Sequence, residues 1–199
     1  AKDIRMEMQK ELDEMTDRLV SSHLETKVDE QVVSGYMNAI RPDGSFPDLD
    51  YITVHEGAFF PAGTHLKRLK SMAIAYRKPG GEFYSSKKLL NRIVAGIDYW
   101  YKVRPESKNW WFGDIGAPQD YMVPLLLLKS KISKKQLLHY SSYLRDLTGN
   151  KGHKGKNRTW VSSVTIHKGC IEDNIDLVRI GFESIASTIE IVSGQGDEG

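Results

Sequence analysis

Apolar residues recur at helical spacing along most of the chain. Ile4, Met8, Leu12, Met15 and Leu19 form a stripe whose other face is charged, which predicts a helix over Asp3–Val20. Val28, Val32, Val33, Tyr36 and Met37 predict a second helix over Thr26–Ala39. A third, His65–Arg77, turns Leu66, Leu69, Met72, Ala73 and Tyr76 inward, with Thr64 as its N-cap. A fourth, Lys87–Val103, follows Ser85 or Ser86 as cap and carries Leu89, Ile93, Ile97 and Trp100. The apolar run Met122–Leu128 anchors a helix from about Pro118 to Lys129, and Ser133 caps another that reaches Leu147. Arg158–Lys168 and Ile175–Val192 complete the series. Arg41-Pro42-Asp43-Gly44-Ser45, Lys78-Pro79-Gly80-Gly81 and Arg104-Pro105 are breaks, because Pro fixes one dihedral and Gly permits the next. Phe46–Gly63 shows no period and reads as an ordered loop. No stretch alternates as strands do. The pattern predicts an all-α fold of antiparallel helical hairpins, arranged as a closed toroid or an open solenoid, without a fixed-period repeat.

Composition narrows the function. The 199 residues suffice for one sizeable core. Lys and Arg total 28 against 26 Asp and Glu, a net charge of +2, which argues against bulk nucleic-acid binding but not against a local basic groove. The single cysteine, Cys170, rules out an internal disulfide framework. No apolar run of about twenty residues predicts a membrane span. The start at Ala1 and the polar stretch Ser193–Gly199 both look like cuts in a longer protein.

Two stretches carry candidate chemistry. In Lys108–Leu128 an amide, Asn109, stands beside two indoles, Trp110 and Trp111. Two neighbouring tryptophans cannot both point into one core, so one is expected to face a groove. There an aromatic face can stack on the C–H side of a pyranose while Asn donates directed hydrogen bonds. The alternative is that both indoles are packing residues. Gly113, Gly116 and Pro118 predict a turn between the tryptophans and the next helix. The second stretch is the basic loop from Gly149 to Lys156, which leads to Asn157 and Arg158. Its glycines allow close approach and its cations favour a carboxylate or sulfate. Asn157 stands where a helix starts, so its amide either meets a ligand with the helix dipole behind it or serves as an N-cap. No Gly-Lys-Ser/Thr closes a phosphate-binding loop. The six histidines make no metal motif, and His153 is expected to be solvated. Asp114 and Asp120 are either a glycosidase carboxylate pair or acids favoured by a helix start, the second being the reading preferred here.

Taken together, Asn109-Trp110-Trp111, Ile115-Gly116-Ala117-Pro118 and Gly155-Lys156-Asn157-Arg158-Thr159 resemble polysaccharide lyase family eight, the chondroitin, hyaluronate and xanthan lyases. Arg41–Phe46 and the join from Phe60-Pro61 to His65-Leu66 fit as well. The resemblance implies part of an incomplete α/α toroid, with residues 1–40 a leading helical segment and large β-sheet domains following in the whole enzyme. It implies β-elimination across the C4–O bond of a uronate. Asn157 would neutralise the uronate carboxylate. Trp110 and Trp111 would stack sugars, with Asn109 and Arg158 as further substrate contacts. No cofactor is implied. The partner implied is an acidic polysaccharide (chondroitin sulfate, dermatan sulfate or hyaluronan), met by a monomer that is secreted or periplasmic. The family's catalytic His and Tyr would lie beyond Gly199. Hyaluronate lyases tend to carry Arg and paired Asn where this chain has Gln119–Pro124, which favours a chondroitin lyase of AC or ABC type.

Overall fold

The computed structural model describes residues 2–149 and 152–195. Within them the chain is all-α: α1 Lys2–Leu24, α2 Glu30–Ala39, α3 Gly63–Arg77, α4 Lys87–Val103, a π-helical segment Phe112–Gly116, α5 Ala117–Leu127, α6 Lys134–Ser141, α7 Gly155–Glu172 and α8 Ile175–Gln195. The helices pack as antiparallel hairpins that form part of an incomplete α/α toroid. α5 lies at the centre, against α1, α3, α6 and α7. Its residues Tyr121–Leu128 are all buried. A helix that is apolar all round has no solvent face to offer and must be a core helix.

Several predicted boundaries move, each for a local reason. α3 begins at Gly63, not after Thr64. The amides of Gly63, Thr64 and His65 bond back to Phe60, Pro61 and Ala62, so the free donors of the first turn need no side-chain cap. Ser86, not Ser85, caps α4. α6 stops at Ser141 instead of Leu147 because α7 captures the backbone that would continue it. Lys168 Nζ donates to the Leu144 carbonyl at 3.0 Å, and the Leu147 amide donates to Thr165 Oγ1 at 3.0 Å. α7 begins at Gly155, earlier than Arg158, and ends where Asp173 takes a left-handed conformation. The turn expected over Gly113–Pro118 is absent. The chain is helical from Trp110 and widens into the π segment before α5. Pro118 explains the widening: it has no N–H, and in a regular α-helix its ring would strike the carbonyl four residues back.

A buried imidazole ties the first half of the fold together. His65 Nε2 lies 2.8 Å from the Gly96 carbonyl on α4, so that nitrogen carries the proton. Nδ1 therefore accepts from the Tyr51 hydroxyl at 2.9 Å, and the hydroxyl oxygen accepts the Phe46 amide at 2.9 Å. The same ring stacks on Trp100. Next to it, Gly44 (φ 90°) lets the Arg41–Ser45 turn sit on α4; a Cβ there would fall 2.0 Å from the Ala95 carbonyl oxygen. A second imidazole pair joins α1 to α7. His167 Nδ1 donates to the Ser163 carbonyl at 2.7 Å, leaving its Nε2 to accept from His23 Nε2 at 2.9 Å.

Burial lowers both His65 and His167 to about 4, so both stay neutral in the fold. An unfolded histidine titrates near 6.5. Between about pH 6.5 and pH 4 the unfolded chain therefore binds more protons than the folded one, and stability falls as the pH falls. Each group contributes on the order of 3 kcal/mol across that window. Thermal melts from pH 7 to pH 4 should show Tm dropping through it. His65→Asn should melt lower at pH 7 and show a shallower dependence on pH.

Candidate functional site

The aromatic platform is built by the loop that precedes it. The Ser107 hydroxyl accepts the Asn109 amide at 3.1 Å, and Asn109 Oδ1 accepts the Trp111 amide at 3.1 Å, opening the helical turn. Asn109 Nδ2 donates to the Gly57 carbonyl at 2.9 Å, and Lys108 pairs with Glu56. Both ends of the Asn109 amide thus tie the loop over residues 52–59 to the base of the tryptophans.

The two indoles have different surroundings. Trp111 packs edge-on against Phe112 and Trp160, with centroids 5.4 and 5.7 Å away. Its ring lies against Gly116, where a Cβ would come within 2.5 Å of it. It covers a small cluster of Ile115, Leu147 and Val161. Trp110 is 51% exposed. One of its faces is covered by the ring of His153, stacked at 5.0 Å and 19°, so the opposite face is the one open to a ligand. His153 is therefore not solvated as the sequence suggested. Its side chain is 14% exposed, and Nε2 faces the Asp114 carboxylate at 3.5 Å. Arg145 holds the other Asp114 oxygen at 3.2 Å. Lys151 of the basic loop lies outside the described residues.

α7 brings the second half of the site. Lys154 is its N-cap and makes no side-chain cap bond, so Asn157 is not a cap; it sits inside the first turn. No hydrogen bond among the described residues uses its side-chain amide. Residues three and four apart share a helix face, which sets Asn157 in line with Trp160 and Val161, the two residues that meet the Trp111 cluster. Lys156 lies over the Trp160 ring at 5.0 Å. Arg158 turns elsewhere. Its Nε donates to Ser184 Oγ at 2.8 Å, in a groove of about 440 Å³ between α7 and α8 that Leu147, Thr148 and Glu183 also line.

A cleft of about 220 Å³ opens beside Trp111. Its walls are Phe60, Trp111 and Phe112, and Gly63 and Gly116 leave space between them. Lys67, Gln119 and Asp120 supply the polar groups. Asp120 is held by Lys70 at 2.7 Å, so the two acids weighed as a glycosidase pair, Asp114 and Asp120, both stand in ion pairs.

Sequence reading thus placed Asn109, Trp110, Trp111 and Asn157 in one region but missed Trp160, His153, Phe60 and Lys67. Trp160 left a signal, standing one helical turn after Asn157, and Phe60 and His153 lay in segments already singled out, without a site role given to either.

Comparison with known proteins identifies the family. The family model for polysaccharide lyase family 8, N terminal alpha-helical domain, matches residues 8–198. Chondroitinase-AC of Pedobacter heparinus is 30% identical over 165 residues, covering 82% of this chain and 23% of that protein. Hyaluronate lyase HylB of Enterococcus faecalis is 25% identical over 160 residues, covering 67% of this chain and 16% of that protein. A solved chondroitinase AC lyase superposes with a TM-score of 0.77 at 21% identity, over 87% of this chain and 26% of that one. The chain spans about a quarter or less of the length of these relatives. With a match across nearly its whole length, the chain belongs to polysaccharide lyase family 8, within that family's N-terminal α-helical domain.

Proposed function

We propose that this chain is the substrate-binding half of the catalytic site of a glycosaminoglycan lyase that cleaves the uronate C4–O bond by β-elimination. The observation that carries the reading is Asn157: an amide without a side-chain hydrogen bond among the described residues, in the first turn of α7, on the helix face that carries the platform's third indole. An ionised uronate carboxylate acidifies the neighbouring C5 proton only weakly. A neutral donor aimed at it, backed by the N-terminal end of a helix dipole, stabilises the charge that builds up as that proton leaves. Trp110 offers its free face to a sugar ring. Asn109 holds the platform in place, and Arg158 contacts substrate from the α7–α8 groove. A His and a Tyr of the whole enzyme would move the protons.

A chondroitin sulfate-type polymer is the substrate we favour, acted on without a cofactor by a monomeric enzyme. We infer that the enzyme is secreted or periplasmic, where such polymers are met. A second reading, a non-catalytic helical module for acidic polysaccharide, rests on the same aromatic cleft. A lyase generates a conjugated C=C that absorbs in the near ultraviolet; a module does not.

Asn157→Ala in the full-length enzyme should lower kcat by about a hundredfold or more with a smaller change in KM, the scale of losing one oxyanion donor. Asn157→Asp should be at least as harmful to rate while leaving Tm unchanged or slightly raised, since an acid in the first helical turn is favourable. Normal turnover by the Asp variant would end the catalytic assignment.

The tryptophans should separate. Trp110→Ala should weaken substrate binding by about 1–3 kcal/mol, on the scale of a lost stacking face, with little change in Tm. Trp111→Ala should also destabilise the fold by roughly 3 kcal/mol, because it uncovers the Ile115 cluster. Calorimetric titration and thermal melts of both variants check this.

A further inference from the structure

We propose that Lys67 is a specificity-determining residue that binds an anionic sugar substituent, a sulfate or a carboxylate, on the ring seated in the Trp111 cleft. The proposal rests on the reading of this region as a polysaccharide site. Lys67 and Lys70 are one helical turn apart on α3, and the structure gives them different partners. Lys70 closes on Asp120 at 2.7 Å, which cancels one charge of each sign. No carboxylate among the described residues lies within ion-pair distance of Lys67, although Lys67 lines the cleft. The cleft therefore keeps one net positive charge beside three aromatic walls.

The walls explain why that charge meets a sugar. Phe60, Trp111 and Phe112 give the cleft apolar faces suited to the C–H side of a pyranose. Gly116 cannot accept a Cβ without displacing the Trp111 ring, and a Cβ on Gly63 would press on Phe60 at 3.0 Å. The open space is thus fixed by the packing of the rings around it. A ring-sized cleft of this kind, with one ammonium at its edge that has no carboxylate partner among the described residues, recognises a sugar bearing an anion. The ammonium is a point charge on a flexible stem, so it accepts sulfate and carboxylate alike.

The test uses the full-length protein carrying Asn157→Ala to slow turnover, with and without Lys67→Gln or Lys67→Arg. Affinities for chondroitin 4-sulfate and for unsulfated chondroitin are measured by calorimetric titration. Lys67→Gln should lose about fivefold in affinity, within the range of a partly exposed ion pair, and Lys67→Arg should restore it. A loss confined to the sulfated polymer identifies sulfate as the anion; an equal loss on both identifies the uronate carboxylate. Unchanged affinity for both polymers, with Tm unchanged, overturns the proposal. Turnover of the parent enzyme is followed separately by ultraviolet absorbance. A protein that makes no unsaturated product but whose binding depends on Lys67 refutes the lyase reading and leaves this one standing.

Discussion

The neutral imidazole of His65 is the constraint on which the rest depends. One ring accepts from Tyr51 and donates to α4, and so fixes the Arg41–Phe46 turn, the start of the following loop, α3 and α4 in a single network. Every polar atom in it has a partner, so burying it carries no unpaired group. Protonation would place an unsatisfied cation in the core, and for that reason the ring holds its proton count only while the surroundings stay packed.

From that ring a series of aromatic contacts runs outward to the site. His65 stacks on Trp100, Trp100 meets Phe60 at 6.2 Å, and Phe60 meets Phe112 at 5.1 Å. Phe112 meets Trp111, and Trp111 meets Trp160 on α7. The cleft wall is thus the outer end of the core and inherits its rigidity. Rings held this way lose little freedom when a ligand arrives, which is what a binding platform requires. Trp110 and His153, at the rim, form the more open part of the same surface.

Polar groups divide along the same line. Asn109, Asp114, Asp120 and Lys70 are spent on holding the scaffold. Asn157 and Lys67 have no such partner among the described residues. In a well-satisfied structure, groups left free beside an apolar cleft are the ones that recognition can use.

Helical period and capping residues determined the elements: each predicted helix exists, because burying an apolar stripe is a local demand that a sequence states openly. The pairing of two indoles with an amide in a second segment also marked the region of the site. The boundaries at α6 and α7 were not legible, since Lys168 and Thr165 decide them from another helix. The π segment was read as a turn because Gly and Pro usually break helices, and here one Pro widens a helix without ending it. Likewise, Asn157 looked like a cap because the cap that exists, Lys154, contributes backbone alone. Which tryptophan faces solvent, which lysine is neutralised and which histidine is buried are questions of partners distant in sequence. Those answers belong to the tertiary structure, because a side chain's charge balance and exposure are set by what packs against it and not by its neighbours along the chain.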